Sequence, residues 1–250
     1  MKVAVQLYTL REYLKRPADI AASLRRVRAL GYQAVQLSGL GPIETDELAR
    51  ILRGEGLVAA ATHVSWEELG QDLEPLVERH QRLGCQQTAI AAMPEEFRHR
   101  DGYRQFGEQA GRVAQQLKKA GIVLSYHNHS FEFERFGQET GLDILYRHAD
   151  GGLSAEIDVY WVQHGGADPA EWIRKLSHRL PLVHLKDMAV VDGRPVMAEV
   201  GEGNLNWPRI LGALEAAGTR WYMVEQDVCR RDPFESLRIS REHLAGWGIS

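Results

Sequence analysis

Eight short apolar runs, separated by longer stretches of helical periodicity, constrain this chain more than any other feature. The runs fall near Val3–Leu7, Ala34–Leu37, Val58–Thr62, Gln87–Ala91, Ile122–His127, Leu153–Ile157, Leu182–Leu185 and Trp221–Glu225. Their Val, Ile, Leu and Ala content reads as strands buried on both faces, as in a parallel sheet. Helical periods lie near Ala18–Leu30, Thr45–Arg53, Asp72–Leu83, Tyr103–Ala120, Gly141–His148, Pro169–Arg179, Trp207–Ala217 and Pro233–Trp247. Five joints, Ala29-Leu30-Gly31, Gly54-Glu55-Gly56, Arg82-Leu83-Gly84, Lys119-Ala120-Gly121 and Ala216-Ala217-Gly218, place a glycine between helix and strand, the signal of a left-handed C-cap. Eight β/α units in 250 residues match a closed (β/α)8 TIM barrel. A doubly wound open sheet would more usually carry fewer strands and a glycine-rich phosphate fingerprint after the first, and none follows Val3–Leu7. No linker or shift in composition divides the chain, so one domain over residues 1–250 is expected.

Composition narrows the function classes. The net charge of −4, with no run rich in Lys and Arg, offers no general attraction for a polyanion, so no nucleic-acid partner is expected. No apolar run approaches a membrane-spanning length, so no membrane partner is expected either. Cys85 and Cys229 are far apart and form no Cys-x-x-Cys motif; two reduced structural thiols in a cytoplasmic protein is the expectation.

In such a barrel the chemistry sits at the carboxyl ends of the strands. There the sequence places Gln6 and Tyr8, His63, the run Tyr126 to Glu132, Glu156 and Asp158, then His184, Lys186 and Asp187, and finally Glu225, Gln226 and Asp227. The second and fourth strands end in little beyond Ser38 and Met93. Asp158, His184 and Glu225 each fall at the mouth end of their own strand, and three consecutive strands supply them. Glu132 lies several residues past its strand, where His127 and His129 compete for the same space. Three carboxylates and one imidazole would form a mostly oxygen-donor site, suited to Mn²⁺, Mg²⁺ or Co²⁺ and tolerable for Zn²⁺. The bland alternative for each residue is a hydrogen-bonded core group. His80, His99, His148, His178 and His243 fall on helices or loops and read as surface residues.

The segments Gln6-Leu7-Tyr8-Thr9-Leu10-Arg11, Tyr126 to Phe133, Glu156-Ile157-Asp158-Val159-Tyr160-Trp161, His184-Leu185-Lys186-Asp187, Gly201-Glu202-Gly203 and Val224-Glu225-Gln226-Asp227 together carry a resemblance. In that order, each at a strand end, they resemble the sugar phosphate isomerase/epimerase family of xylose-isomerase-like barrels, from the first strand to the last. The resemblance implies that Glu132, Asp158, His184 and Glu225 hold one divalent metal ion, Mn²⁺ first. It also implies that Glu132 and Glu225 move protons on the carbon beside a metal-polarised carbonyl. The His-rich run Tyr126 to Glu132 departs from the Glu-Pro-Leu-Asn form of the simpler epimerases of this superfamily.

A C–H beside a carbonyl is a weak acid, so its removal needs a positioned base and a cation or donor for the developing oxyanion. Two bases on opposite faces give epimerisation; one base with an acid relay gives isomerisation or dehydration. Tyr8, His63, His129, Trp161, Lys186 and Glu202 are the candidate contacts to a small-molecule sugar, the alternative for each being a residue that orients a ligand, packs the core or meets water. A lyase acting on a 3-keto-glycoside or inositol ketone would use the same site. An apurinic endonuclease would need several zinc ions and a basic face, which the charge disfavours. A non-catalytic sugar-binding barrel would be expected to have lost a ligand. Homo-oligomers are common among such barrels, and nothing in the chain specifies their order.

Overall fold

The computed structural model describes residues 2–249 and closes as a parallel eight-stranded barrel. Its strands are β1 (Lys2–Gln6), β2 (Ala34–Leu37), β3 (Val58–Val64), β4 (Gln87–Ile90), β5 (Val123–His127), β6 (Ser154–Asp158), β7 (Leu182–Leu185) and β8 (Trp221–Val224). Each pairs with its sequence neighbours, and β8 pairs with β1. The main helices are α1 (Pro17–Ala29), α2 (Thr45–Gly54), α3 (Glu74–Leu83), α4 (Arg100–Lys119), α5 (Gly141–His148), α6 (Pro169–Lys175), α7 (Trp207–Ala217) and α8 (Pro233–Gly246). All five anticipated helix-to-strand glycines have positive φ; Gly84 and Gly218, at +64° and +66°, end α3 and α7 in the conformation that a side chain disfavours.

Two hydrophobic layers follow from the period of two along each strand. Val3, Val5 and Leu7 belong to the layer packed beneath the helices, with Tyr222 and Val224. Ala4, Ala34, Ala60, Ala61, Leu182, Trp221 and Met223 form a separate cluster that fills the lower barrel, small alanines from one side accommodating Trp221 and Met223 from the other. Above this plug the same inward positions become polar: Gln6 follows Ala4, Gln36 follows Ala34, His184 and Lys186 follow Leu182, and Glu225 follows Met223. The register sets Asp158 beside His184 and His184 beside Met223.

The departures from the sequence reading have local causes. Helix α4 begins at Arg100 rather than Tyr103 because the His99 side chain caps it, accepting from the Gly102 amide. Helix α6 stops at Lys175, and a 3-10 turn covers Ser177–Arg179. After β7, in a stretch to which the sequence reading assigned no element, Asp187–Val191 pairs with Arg194–Ala198 as an antiparallel hairpin. His80 is not a surface residue: it is buried on α3, bridging the Thr62 hydroxyl and the Cys85 carbonyl, and burial lowers its pKa. Cys85 and Cys229 are both free thiols. No helix among the described residues is long and apolar enough to cross a membrane.

Candidate active site

The polar crown above the Trp221 and Met223 plug is centred on His184, which is fully buried and faces acids on both sides. Its Nδ1 lies 2.8 Å from Glu225 Oε2 and 3.8 Å from Asp158 Oδ2. Its Nε2 lies 2.8 Å from Gln36 Oε1 and 3.4 Å from Glu156 Oε2. Burial alone would lower the pKa of this imidazole, but the flanking Glu156 and Glu225 push it up to about 10. Lys186, also fully buried, places Nζ 3.0 Å from Asp158 Oδ2, 2.8 Å from Glu225 Oε2 and 2.6 Å from Asp227 Oδ2. Against the opposing effect of burial, these carboxylates raise its pKa well above the ordinary value. In turn, although burial favours the neutral acid, Lys186 and His184 keep Glu225 well below the usual carboxylate range. Burial raises Asp158 to about 6 despite Lys186 and His184.

Behind His184 lies a second group. Glu156 accepts from Gln36 Nε2 at 2.7 Å through Oε1, while its Oε2 sits 2.6 Å from His63 Nε2 and 3.6 Å from His127 Nδ1. Gln6 Nε2 is 3.3 Å from the other nitrogen of His63. One ligand atom from each of His127, Asp158, His184 and Glu225 lies within 4.8 Å of the others, and the same holds for His63, His127, Glu156 and His184.

Three of the four expected ligands, Asp158, His184 and Glu225, are thus brought together. The carboxylate of Glu132 is held by other contacts: Tyr126 OH donates to Oε1 at 2.7 Å and the His129 amide to Oε2 at 2.9 Å. Burial pushes Glu132 up to about 7, these two donors only partly opposing it. Of the candidate substrate contacts, His63 and Lys186 lie in the crown, and His129 and Trp161 pack against each other at 5.5 Å between ring centroids, with Lys186 Nζ 5.6 Å from the Trp161 ring. Tyr8 is 38% exposed at the rim, stacked on Arg11. Glu202 pairs with Arg231 at 2.7 Å and, among the described residues, has no contact with the crown.

Sequence reasoning passed over Gln36 and gave Glu156 no role. Glu156 was findable, because it lies two residues before Asp158 and therefore shares its inward face. Gln36 was hidden within the apolar run Ala-Val-Gln-Leu.

Several buried atoms here have no hydrogen-bond partner: His127 Nδ1, His129 Nδ1, Asp158 Oδ2, Trp161 Nε1 and Gln226 Nε2. Unpaired buried polar groups are costly in a finished interior, so their concentration at one end of the barrel marks a site for a polar ligand or an ion. Asp158 Oδ2 is ion-paired with Lys186 Nζ at 3.0 Å but accepts no aligned hydrogen bond.

The mouth loop is organised by Asp187, next to Lys186. Its buried carboxylate accepts from the amides of Met188, Gly201, Gly203 and Leu205 and from Trp207 Nε1, at 2.5 to 3.2 Å. A Cβ on Gly203 would stand 2.3 Å from Asp187 Oδ1, so only glycine admits this approach.

A family described as xylose isomerase-like TIM barrel matches residues 24–247. No match was found among curated proteins. Among solved structures, the chain is similar to a sugar phosphate isomerase/epimerase from Parabacteroides distasonis, at 24% identity over 97% of this chain and 93% of that one, with a TM-score of 0.79. It is similar to a probable 3-DHS dehydratase from Bacillus anthracis, at 13% identity over 98% and 99% of the two chains, TM-score 0.77. It is also similar to an L-ribulose 3-epimerase, at 16% identity over 100% and 95%, TM-score 0.73. At these identities the likeness shows the shared fold.

Proposed function

Because the chain belongs to the xylose isomerase-like TIM barrel family, we propose that it is a divalent-metal-dependent sugar isomerase or epimerase that moves a proton on the carbon beside a carbonyl. The observation that carries this reading is the convergence of Asp158, His184 and Glu225 with Lys186 at the carboxyl end of the barrel. Two carboxylates and an imidazole fit a divalent ion of intermediate hardness, Mn²⁺ first, with Co²⁺, Mg²⁺ and Zn²⁺ compatible. Asp158 Oδ2, which has Lys186 Nζ beside it at 3.0 Å but no aligned hydrogen bond, supports the fit. When bound, such an ion would polarise the substrate carbonyl as a Lewis acid and hold its two neighbouring oxygens in place.

The remaining work belongs to the chain. Lys186 supplies a permanent positive charge beside the acids and can donate to a substrate hydroxyl. Trp161 offers an apolar face and an unpaired N–H, as a sugar ring requires. Glu132, near 7, is matched to proton exchange around neutral pH, whereas Glu225 is held as the anion and acts by charge and orientation. Removing the proton through Glu132 and returning it to the neighbouring carbon, while a proton passes between the two oxygens, gives isomerisation; epimerisation needs a second group, Glu225 in this reading, to return a proton to the same carbon from the opposite face.

The test couples metal content with exchange. Wild type, Asp158→Ala and His184→Ala are analysed for bound metal, and ketopentoses and ketohexoses are incubated with each in D₂O. About one ion per chain in wild type, lost in both variants together with deuterium incorporation, is the expected result. Exchange that survives in the metal-free variants refutes the metal-dependent mechanism, and release of an unsaturated product would assign a lyase instead.

A further inference from the structure

We propose that His63, His127 and Glu156, completed by Nε2 of His184, form a second divalent-cation position, rich in imidazole and therefore selective for Zn²⁺, behind the carboxylate-rich one. It rests on the proposed metal-dependent reading only in sharing His184 with it.

The geometry around Glu156 Oε2 is the first argument. His63 Nε2, His184 Nε2 and His127 Nδ1 stand 2.6, 3.4 and 3.6 Å from it. A zinc ion with bonds of about 2.0–2.1 Å sets the atoms of its tetrahedron roughly 3.3–3.4 Å apart, so two of these spacings already match and the third needs a shift of less than about 1 Å. Three imidazoles and one carboxylate suit Zn²⁺ and are a poor set for Mg²⁺ or Mn²⁺.

The second argument is an unpartnered donor. His127 is 4% exposed, and its Nδ1, the atom turned to Glu156, has no hydrogen-bond partner. Charge supplies the third. Glu156 is fully buried, and among the described residues its cationic partners are all histidines, whereas Asp158, Glu225 and Asp227 have Lys186. A buried carboxylate neutralised only by imidazoles, which can exchange their protons for a metal, is one where a divalent ion can take over that charge. Gln36 gives the position an outer support: its amide nitrogen holds Glu156 Oε1, and its oxygen would release His184 Nε2 to the ion. With both positions filled, His184 gives up both ring protons to solvent and bridges as an imidazolate, Nδ1 to the Asp158 and Glu225 side and Nε2 to the Glu156 side.

Chelator-stripped protein is incubated with excess Zn²⁺ or Mn²⁺, desalted and analysed for metal, with circular dichroism to establish folding. Two zinc ions but one manganese per chain are expected for wild type. Zinc falls from two to one in Glu156→Gln and, independently, in the peripheral His63→Ala, while Asp158→Asn keeps the zinc that those variants lose. A single zinc that Asp158→Asn removes and Glu156→Gln retains would falsify the second position and leave the proposed function standing. Wild type that takes up neither metal overturns both.

Discussion

Glu132 and Lys186 are both fully buried ionisable residues, yet their surroundings drive them to opposite charge states. Glu132 has only neutral donors, so burial raises it from 4.5 to about 7. The folded chain therefore holds this proton more tightly than the unfolded chain does. Its contribution to stability is complete below about pH 4.5 and is lost as the pH rises through about 7. In metal-free protein, Glu132→Gln should reduce the loss of stability between pH 5 and pH 8 by about 2–3 kcal/mol, at 1.36 kcal/mol per pKa unit. Urea denaturation at the two pH values measures this, and an unchanged difference would contradict the assignment. Lys186 balances three acids, so Lys186→Met should lower the stability of chelated protein by about 3–5 kcal/mol, the penalty for stranding buried charge. Added Mn²⁺ should restore more of the melting temperature in this variant than in wild type. Equal gains in the two proteins would mean that lysine and metal do not address the same acids.

At the scale of elements, the stretch from Asp187 to Trp207 holds the largest departure from the sequence reading. The hairpin joins Asp187–Val191 to Arg194–Ala198 through Asp192-Gly193, with positive φ at both; this two-residue Asp-Gly turn between apolar runs is a hairpin signal that the sequence reading passed over. Asp187 itself was legible only as a polar residue after a strand; that it gathers five donors depends on where the returning chain passes. Asp187→Asn should release this loop. Hydrogen exchange at the amides of Gly201, Gly203 and Leu205 should accelerate at least tenfold, with a stability loss of about 2–3 kcal/mol from unmet donors. Unchanged protection at these amides would show that the hairpin alone orders the loop. Gly203→Ala, which forces a Cβ onto the same carboxylate, should produce the same exchange pattern.

For the whole molecule, the sequence revealed the barrel because strand spacing and helix-ending glycines are local signals repeated eight and five times. The crown was legible in part. Asp158, His184 and Glu225 announce themselves at strand ends, but their association with Gln36 and Glu156 arises only when β2 and β6, separated by 120 residues at this contact, face each other across the closed barrel. The plug beneath them is independent of the chemistry. Trp221→Ala should cost about 3–5 kcal/mol by opening a cavity among alanines too small to fill it, while metal content stays at the wild-type value. Loss of metal in that variant would show that the crown and the plug are one unit. The position of Lys186 also bears on the order in which the protein is made ready. An acidic pocket that depended on an ion from outside would keep the barrel from closing until that ion arrived, and metal supply would govern how much folded protein exists. Here the neutralising charge is encoded two residues after His184, so the barrel can close without an ion, and on the proposed metal-dependent reading scarcity of metal would reduce the active fraction without reducing the folded one.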